Sequence, residues 1–177
     1  MSIRSEVSQV ERTARAEAED YRQGQDRPLS GYVVVMVVFA ALVAAVGAVA
    51  ALTGRSLPRR VGPYDLLLIT LGTHKLSRTL SKEAVTSPLR APFTRYQDTG
   101  GPAEVMEEPR HSSRLRHAIG ELLTCPFCLD MWVATGYMIG LMFAPRFTRI
   151  VGATFTALAG ADFLQLAYAR AQQSAEG

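Results

Sequence analysis

Cysteine, histidine and tryptophan are scarce: two, three and one among 177 residues. Two cysteines three positions apart cannot supply the disulfide framework that holds small secreted domains together. Net charge is also small, at +3. The basic residues are spread over tails and loops and form no stripe interleaved with aromatics, which argues against nucleic-acid binding. Nothing reads as a Ser-His-Asp arrangement, a glycine-rich phosphate loop or a paired-carboxylate site, and no internal repeat is visible. Charge is missing altogether from Tyr32 to Leu52, a run of 21 residues. About 20 apolar residues suffice for a helix to cross some 30 Å of hydrocarbon, so this run reads as a transmembrane helix. The preceding segment is too long and too acidic for a signal peptide.

Around that run the chain divides into four parts. Residues 1–31 form a polar tail in which Ile3, Val7, Val10 and Ala14 recur at helical spacing, closed by Gly24 and Pro28. The first membrane helix, 32–52, carries Ala40, Ala44 and Ala48 on one small-residue face that suits close helix approach in lipid. A loop with Gly54, Pro58 and three arginines leads into residues 62–169, the main membrane domain. Residues 170–177 are a short tail.

Within the main domain Pro63 suits a first helical position, and a second helix is expected to about Ser81. Residues 82–112 hold Pro88, Pro92, Pro102, Pro109 and a Gly100-Gly101 turn, and are expected to be an irregular loop. From Ser113 the residues Leu115, Ile119, Leu122 and Leu123 make one apolar stripe, as in an amphipathic helix lying in the membrane interface. A third membrane helix is expected from Pro126 to Ala144. A fourth is expected from about Ile150 to Ala169, with Gly152, Thr156 and Gly160 as a small-residue face. The fold class is therefore an all-α polytopic membrane bundle of about four transmembrane helices plus one interfacial amphipathic helix. With four spans, twelve basic residues fall on the side of the termini and central loop and five on the other. That asymmetry places both termini in the cytoplasm.

Three constellations could carry chemistry. In Cys125-Pro126-Phe127-Cys128 the proline makes Cys125 the expected N-cap of the third membrane helix and puts Cys128 in its first turn. Both thiols then feel the positive end of the helix dipole, which favours thiolate. The tetrapeptide is similar to the glutaredoxin motif but lacks its βαβ context. It is open to a structural, a redox or a metal reading, with the thiols expected to be reduced in a reducing compartment. For zinc the pair supplies two of four ligands, and His117, Glu121, His111 and Asp130 are near in sequence. Second, Lys75 and Arg78 lie at a depth similar to that of Asp162 along their helices, which predicts a buried ion pair of Asp162 with one of them. His74, beside them, reads as a satisfied interior histidine. Third, Arg90 and Arg95 beside Phe93 could grip lipid phosphates from a stiff, proline-held loop or present that loop to a partner.

The segments His74-Lys75-Leu76-Ser77-Arg78, Thr86 to Arg95 and Gly120-Glu121-Leu122-Leu123-Thr124-Cys125-Pro126-Phe127-Cys128, followed by Trp132, together resemble the bacterial membrane family catalogued as domain of unknown function 1360. The likeness covers about Gly62 to Ala169, with the first helix and tail as an addition and Asp130 as a departure. It implies a multi-pass protein of the bacterial cytoplasmic (inner) membrane and brings no activity with it. The expected partners are the lipid bilayer and a second copy or another membrane protein. The role expected is a non-enzymatic membrane component, the alternative a thiol- or metal-dependent protein built on Cys125 and Cys128.

Overall fold

The computed structural model describes residues 3–55 and 60–176, without the side chain of Ile3. Pro58 and Arg59 of the first interhelical loop lie outside the described residues. Helix α1 spans Ile3–Arg22, α2 Leu29–Leu52 and α3 Pro63–Lys82. A 3-10 turn, Ala84–Thr86, precedes the short α4, Ser87–Arg90. Strands β1, Thr94–Thr99, and β2, Val105–Pro109, come next, and then α5 Arg114–Thr124, α6 Pro126–Phe143 and α7 Pro145–Glu176.

The helix starts follow from local chemistry. Pro63 and Pro126 occupy the first helical positions of α3 and α6, where a missing N–H goes unnoticed. Ser113 caps α5 by accepting from the Arg116 N–H at 3.2 Å. Pro145 likewise opens α7, which therefore begins several residues before the expected Ile150 and follows α6 after a single residue, Ala144. Its C-terminal extension through Gln172 and Gln173 continues because nothing there breaks a helix.

Among the described residues, three helices are long and apolar enough to cross a membrane: α2, α6 and α7. α3 is not among them, since it carries Asp65, Lys75, Arg78 and Lys82. α3 nonetheless forms the packing centre. It lies against α7 and α6, and all three approach closely at small residues. A Cβ on Gly72 of α3 would meet the Tyr137 hydroxyl at 2.9 Å, and Gly152 of α7 sits against Leu68. Thr156 donates to the Leu68 carbonyl at 3.3 Å, so two of the three expected small positions of α7 do face α3. Gly160, the third, meets nothing within 4 Å.

α2 packs differently. Its buried residues are Gly31 and Ala50, at its two ends, while the Ala40, Ala44 and Ala48 face is exposed. Gly31 touches α5, where an added Cβ would come within 2.3 Å of the Arg114 carbonyl. Phe39 meets Trp132 of α6 edge to face at 5.0 Å.

One expectation for the middle of the chain changes. Residues 82–112 are an ordered antiparallel hairpin and not an irregular loop, with Arg95 opposite Glu108 and a bulge between Tyr96 and Asp98. The prolines bracket its elements: Pro88 lies in the first turn of α4, Pro102 in the hairpin turn and Pro109 at the end of β2. For α5, the residues buried are His117, Ala118 and Gly120, while Leu115 of the expected apolar stripe is exposed. The helix turns its small face inward because α2 and the hairpin come too close for leucine. A Cβ on Gly120 would stand 2.7 Å from the Phe93 carbonyl.

Candidate functional site

An open cleft of about 730 Å³ lies between α2, α5 and α6. Val35, Met36, Met131 and Trp132 make its apolar walls, and Cys125 and Cys128 form part of its lining. The cysteines reach it because α5 ends at Thr124 and α6 restarts at Pro126, leaving Cys125 extended between them at φ −106° and ψ 104°. Cys125 is the N-cap of α6, as expected, and its sulfur accepts from the Cys128 N–H at 3.2 Å.

The two sulfurs are close, as expected: Cys125 and Cys128 stand at disulfide distance, with Cα atoms 5.2 Å apart. The physical reason is the capped first turn, which brings residues i and i+3 onto one face of a helix start. Cys125 is half-buried and Cys128 exposed, and Phe127 between them is 85% exposed.

The polar edge of the cleft is built on Glu121. Its carboxylate accepts a short hydrogen bond from the Tyr32 hydroxyl and a longer one, 3.5 Å, from Arg27. On its other side Glu121 Oε1 lies 3.5 Å from His117 Nε2, one helical turn back. The expected zinc set of Cys125, Cys128, His117 and Glu121 does not come together among the described residues: the ligand atoms that do cluster with His117 are those of Asp26 and His111. Asp130, another sequence candidate, is engaged elsewhere, accepting from the Ser77 hydroxyl at 2.5 Å.

His117 instead sits with a residue that sequence reasoning missed. Asp26, in the linker between α1 and α2, lies 3.8 Å from His117 Nδ1 and 2.9 Å from His111 Nδ1. The linker is shaped by two left-handed residues, Gln23 at φ 46° and Gly24 at φ 78°, which reverse the chain after α1. The His111 hydrogen bond holds the Asp26 carboxyl below its ordinary range. No sequence signal joined Asp26 to His111, which is 85 residues away.

A second polar centre lies at the C-terminal end of α3. Of the two expected partners of Asp162, Lys75 makes the contact, at 2.9 Å, and also reaches Glu83 at 2.6 Å. Asp162 is half exposed, so the pair is not fully buried. Arg78 does not join it but binds Glu104 through two nitrogens at 2.6–3.0 Å. His74 is exposed and not interior, with its ring stacked 6.2 Å from Phe163.

Arg90 is the clearest correction. As a side chain with 0% exposure it cannot grip lipid phosphates. It binds Glu107 bidentately at 2.8 and 3.0 Å and donates to the carbonyls of Leu80 and Glu83 and the hydroxyls of Thr86 and Ser87. Thr94 adds a 2.9 Å bond to Glu107. Burial pushes the Glu107 carboxyl up, but the hydrogen bonds from Arg90 and Thr94 outweigh it, and the net direction is down. Phe93 is half-buried and Arg95 exposed, so of the expected loop surface only Arg95 is freely presented. Glu83, Glu104 and Glu107, the acids that take up these bases, were not singled out from the sequence.

A family model described as "Protein of unknown function (DUF1360)" matches residues 68–168, which contain α6, the cysteine pair, the hairpin and most of α3 and α7. Comparison with curated proteins and with solved structures found no match. Asp26, Tyr32 and the whole of α2 stand before the matched residues. The match spans more than half of the chain, and the protein belongs to the DUF1360 family.

Proposed function

We propose that this chain is a multi-pass protein of the bacterial inner membrane whose Cys125–Cys128 pair is a thiol–disulfide exchange centre. The observation that carries the reading is a disulfide closed over the first turn of α6, with Cys128 exposed at an apolar cleft. A partner thiolate attacks Cys128 Sγ, forming a mixed disulfide and expelling Cys125 as thiolate. The Cys128 N–H already points at Cys125 Sγ, and the helix dipole favours negative charge there, so Cys125 is the better leaving group. The partner's second thiol then attacks its own sulfur in the mixed disulfide and releases Cys128. The chain gains two electrons and two protons, and the partner becomes a disulfide. A further disulfide compound reoxidises the pair by the reverse exchange.

The topology in this reading has α2, α3, α6 and α7 as four spans, with the charges of α3 paired near both of its ends, Asp65 with Arg149 and Lys75 and Arg78 with Glu83 and Glu104. Twelve basic residues against five place the termini, the hairpin and the cysteines on the cytoplasmic side. In that compartment disulfides are rare, and those that do form are usually made and broken in turnover.

Equilibration of the purified full-length protein with glutathione buffers, followed by alkylation and counting of thiols, tests the reading. An exchange centre has a midpoint between about −120 and −270 mV, whereas a disulfide that resists reduction below about −300 mV is structural. The latter result leaves the non-enzymatic reading, which one observation favours by itself: the Ala40–Ala44–Ala48 face of α2 is uncovered in the single chain and suits a second copy or another membrane helix. A reporter fused after the last residue checks orientation, and activity of a periplasm-dependent reporter there would reverse it.

A further inference from the structure

Three separate elements deliver metal-ligating side chains to one point. Asp26 comes from the α1–α2 linker, His111 from the turn after β2 and His117 from α5, and one ligand atom of each lies within 4.8 Å of the others. Asp26 Oδ2 is 2.9 Å from His111 Nδ1 and 3.8 Å from His117 Nδ1. A tetrahedral ion with bonds of about 2.0–2.1 Å sets its ligands about 3.3 Å apart, so these separations bracket what such an ion requires. The two rings are held at 4.0 Å between centroids and tilted, and do not stack flat.

What distinguishes this from an ordinary surface His–Asp pair is the far side of His117. The residue is 5% exposed, and its Nε2 faces Glu121 Oε1 at 3.5 Å. A carboxylate on the Nε2 side favours the proton there and leaves Nδ1, the nitrogen on the Asp26 side, as the ligating atom. Glu121 is itself fixed by Tyr32 and Arg27. The near side is open, with the His111 and Asp26 side chains 58% and 74% exposed, which leaves a coordination position for water or another small ligand.

We propose that Asp26, His111 and His117 bind a divalent first-row transition metal through one carboxylate oxygen and two imidazole nitrogens, with Glu121 as the positioning residue for His117. Nitrogen and oxygen donors in a three-ligand set with an open fourth position suit zinc. The site is separate from the sulfurs, and it differs from the zinc set legible in the sequence by replacing both cysteines with Asp26 and His111.

The test is Co2+ titration of the full-length protein in detergent, oxidised and shown by thiol counting to have no free thiol, read by visible absorption and by competition with Zn2+. One equivalent of Co2+ should give a visible spectrum that Zn2+ abolishes. His111→Ala and Asp26→Ala, both at exposed positions that leave the core intact, should each weaken binding at least tenfold. Glu121→Gln should weaken it about 10- to 100-fold. Cys125→Ser/Cys128→Ser should bind as the parent does, which keeps this result distinct from the fate of the exchange reading. Absence of a spectrum, binding that survives His111→Ala together with Asp26→Ala, or binding that disappears in the double-serine variant would each overturn the site.

Discussion

Helices α2 and α3 invert the rule familiar from water-soluble domains. α2 has no charge between Tyr32 and Leu52 and is buried at only two positions, whereas α3 carries four charges and buries six residues. In water the more apolar helix would occupy the centre. In a bilayer the hydrocarbon already solvates valine and alanine, so an apolar face gains little from protein, while an unpaired charge or hydroxyl is expensive unless protein surrounds it. A polar helix at the packing centre is what such an environment favours. Its charged end is closed by the hairpin, whose Glu104 meets Arg78 and whose Glu107 meets Arg90, while Glu83, just after α3, meets Lys75.

That contrast can be broken at its strongest point. Arg90→Ala should destabilise the protein by about 3–5 kcal/mol, because Glu107 is left buried without its partner. Thermal unfolding in detergent reads this, and Arg90→Lys should recover only part, since an ammonium cannot bind a carboxylate in a fork. A loss below about 1 kcal/mol would mean that the clasp does not organise the polar end.

Where α2 does touch protein, substitution should matter. Gly31→Leu places a side chain into the Arg114 carbonyl and should cost about 1–3 kcal/mol by overpacking or push α2 away from α5. The separation of α2 and α5, followed by a cross-link between introduced cysteines in a background without Cys125 and Cys128, checks it.

Acid should act on the clasp and leave α2 untouched. The Glu107 carboxyl is lowered in the folded protein from an ordinary 4.5. Its contribution is therefore fully present above about that value and is lost as pH falls through the lower, folded value. Hydrogen exchange in β2 should rise below pH 4.5 before exchange in α2 does. Glu107→Gln should remove the pH dependence along with part of the stability. The smallest effect is expected on the exposed face of α2, where Val37→Leu or Val38→Leu should change stability by less than about 0.5 kcal/mol. A larger loss at either position in the purified single chain would show that α2 is covered, and would point to a second copy.

The parts legible in the sequence were those written by local rules. Pro63, Pro126 and the uncharged run of α2 gave helix starts and spans to within a few residues, and Cys125 as N-cap followed from Pro126 alone. The hairpin was not legible, because its strand alternation is carried by a charged residue. In β2 the inward positions are Val105, Glu107 and Pro109, and a glutamate facing inward looks like a solvated loop until Arg90 is known to lie beneath it. The small face of α5 was not read from the sequence for a related reason. Periodicity identifies an apolar face, but close approach by a neighbouring backbone selects the small one, Ala118 and Gly120.

The sequence by itself determined the helices, the apolar length of α2 and the meeting of two thiols at the start of α6, because each depends on residues within a few positions of one another. Only the tertiary structure decided which charge pairs with which, and which carboxylate stands beside His117. Asp26 and His111 are 85 residues apart and meet through the reversal at Gln23 and Gly24. Arg90 and Glu107 meet through a hairpin that neither residue announces. Such pairings depend on how chain segments are brought together in space, and that is set by packing across the whole molecule.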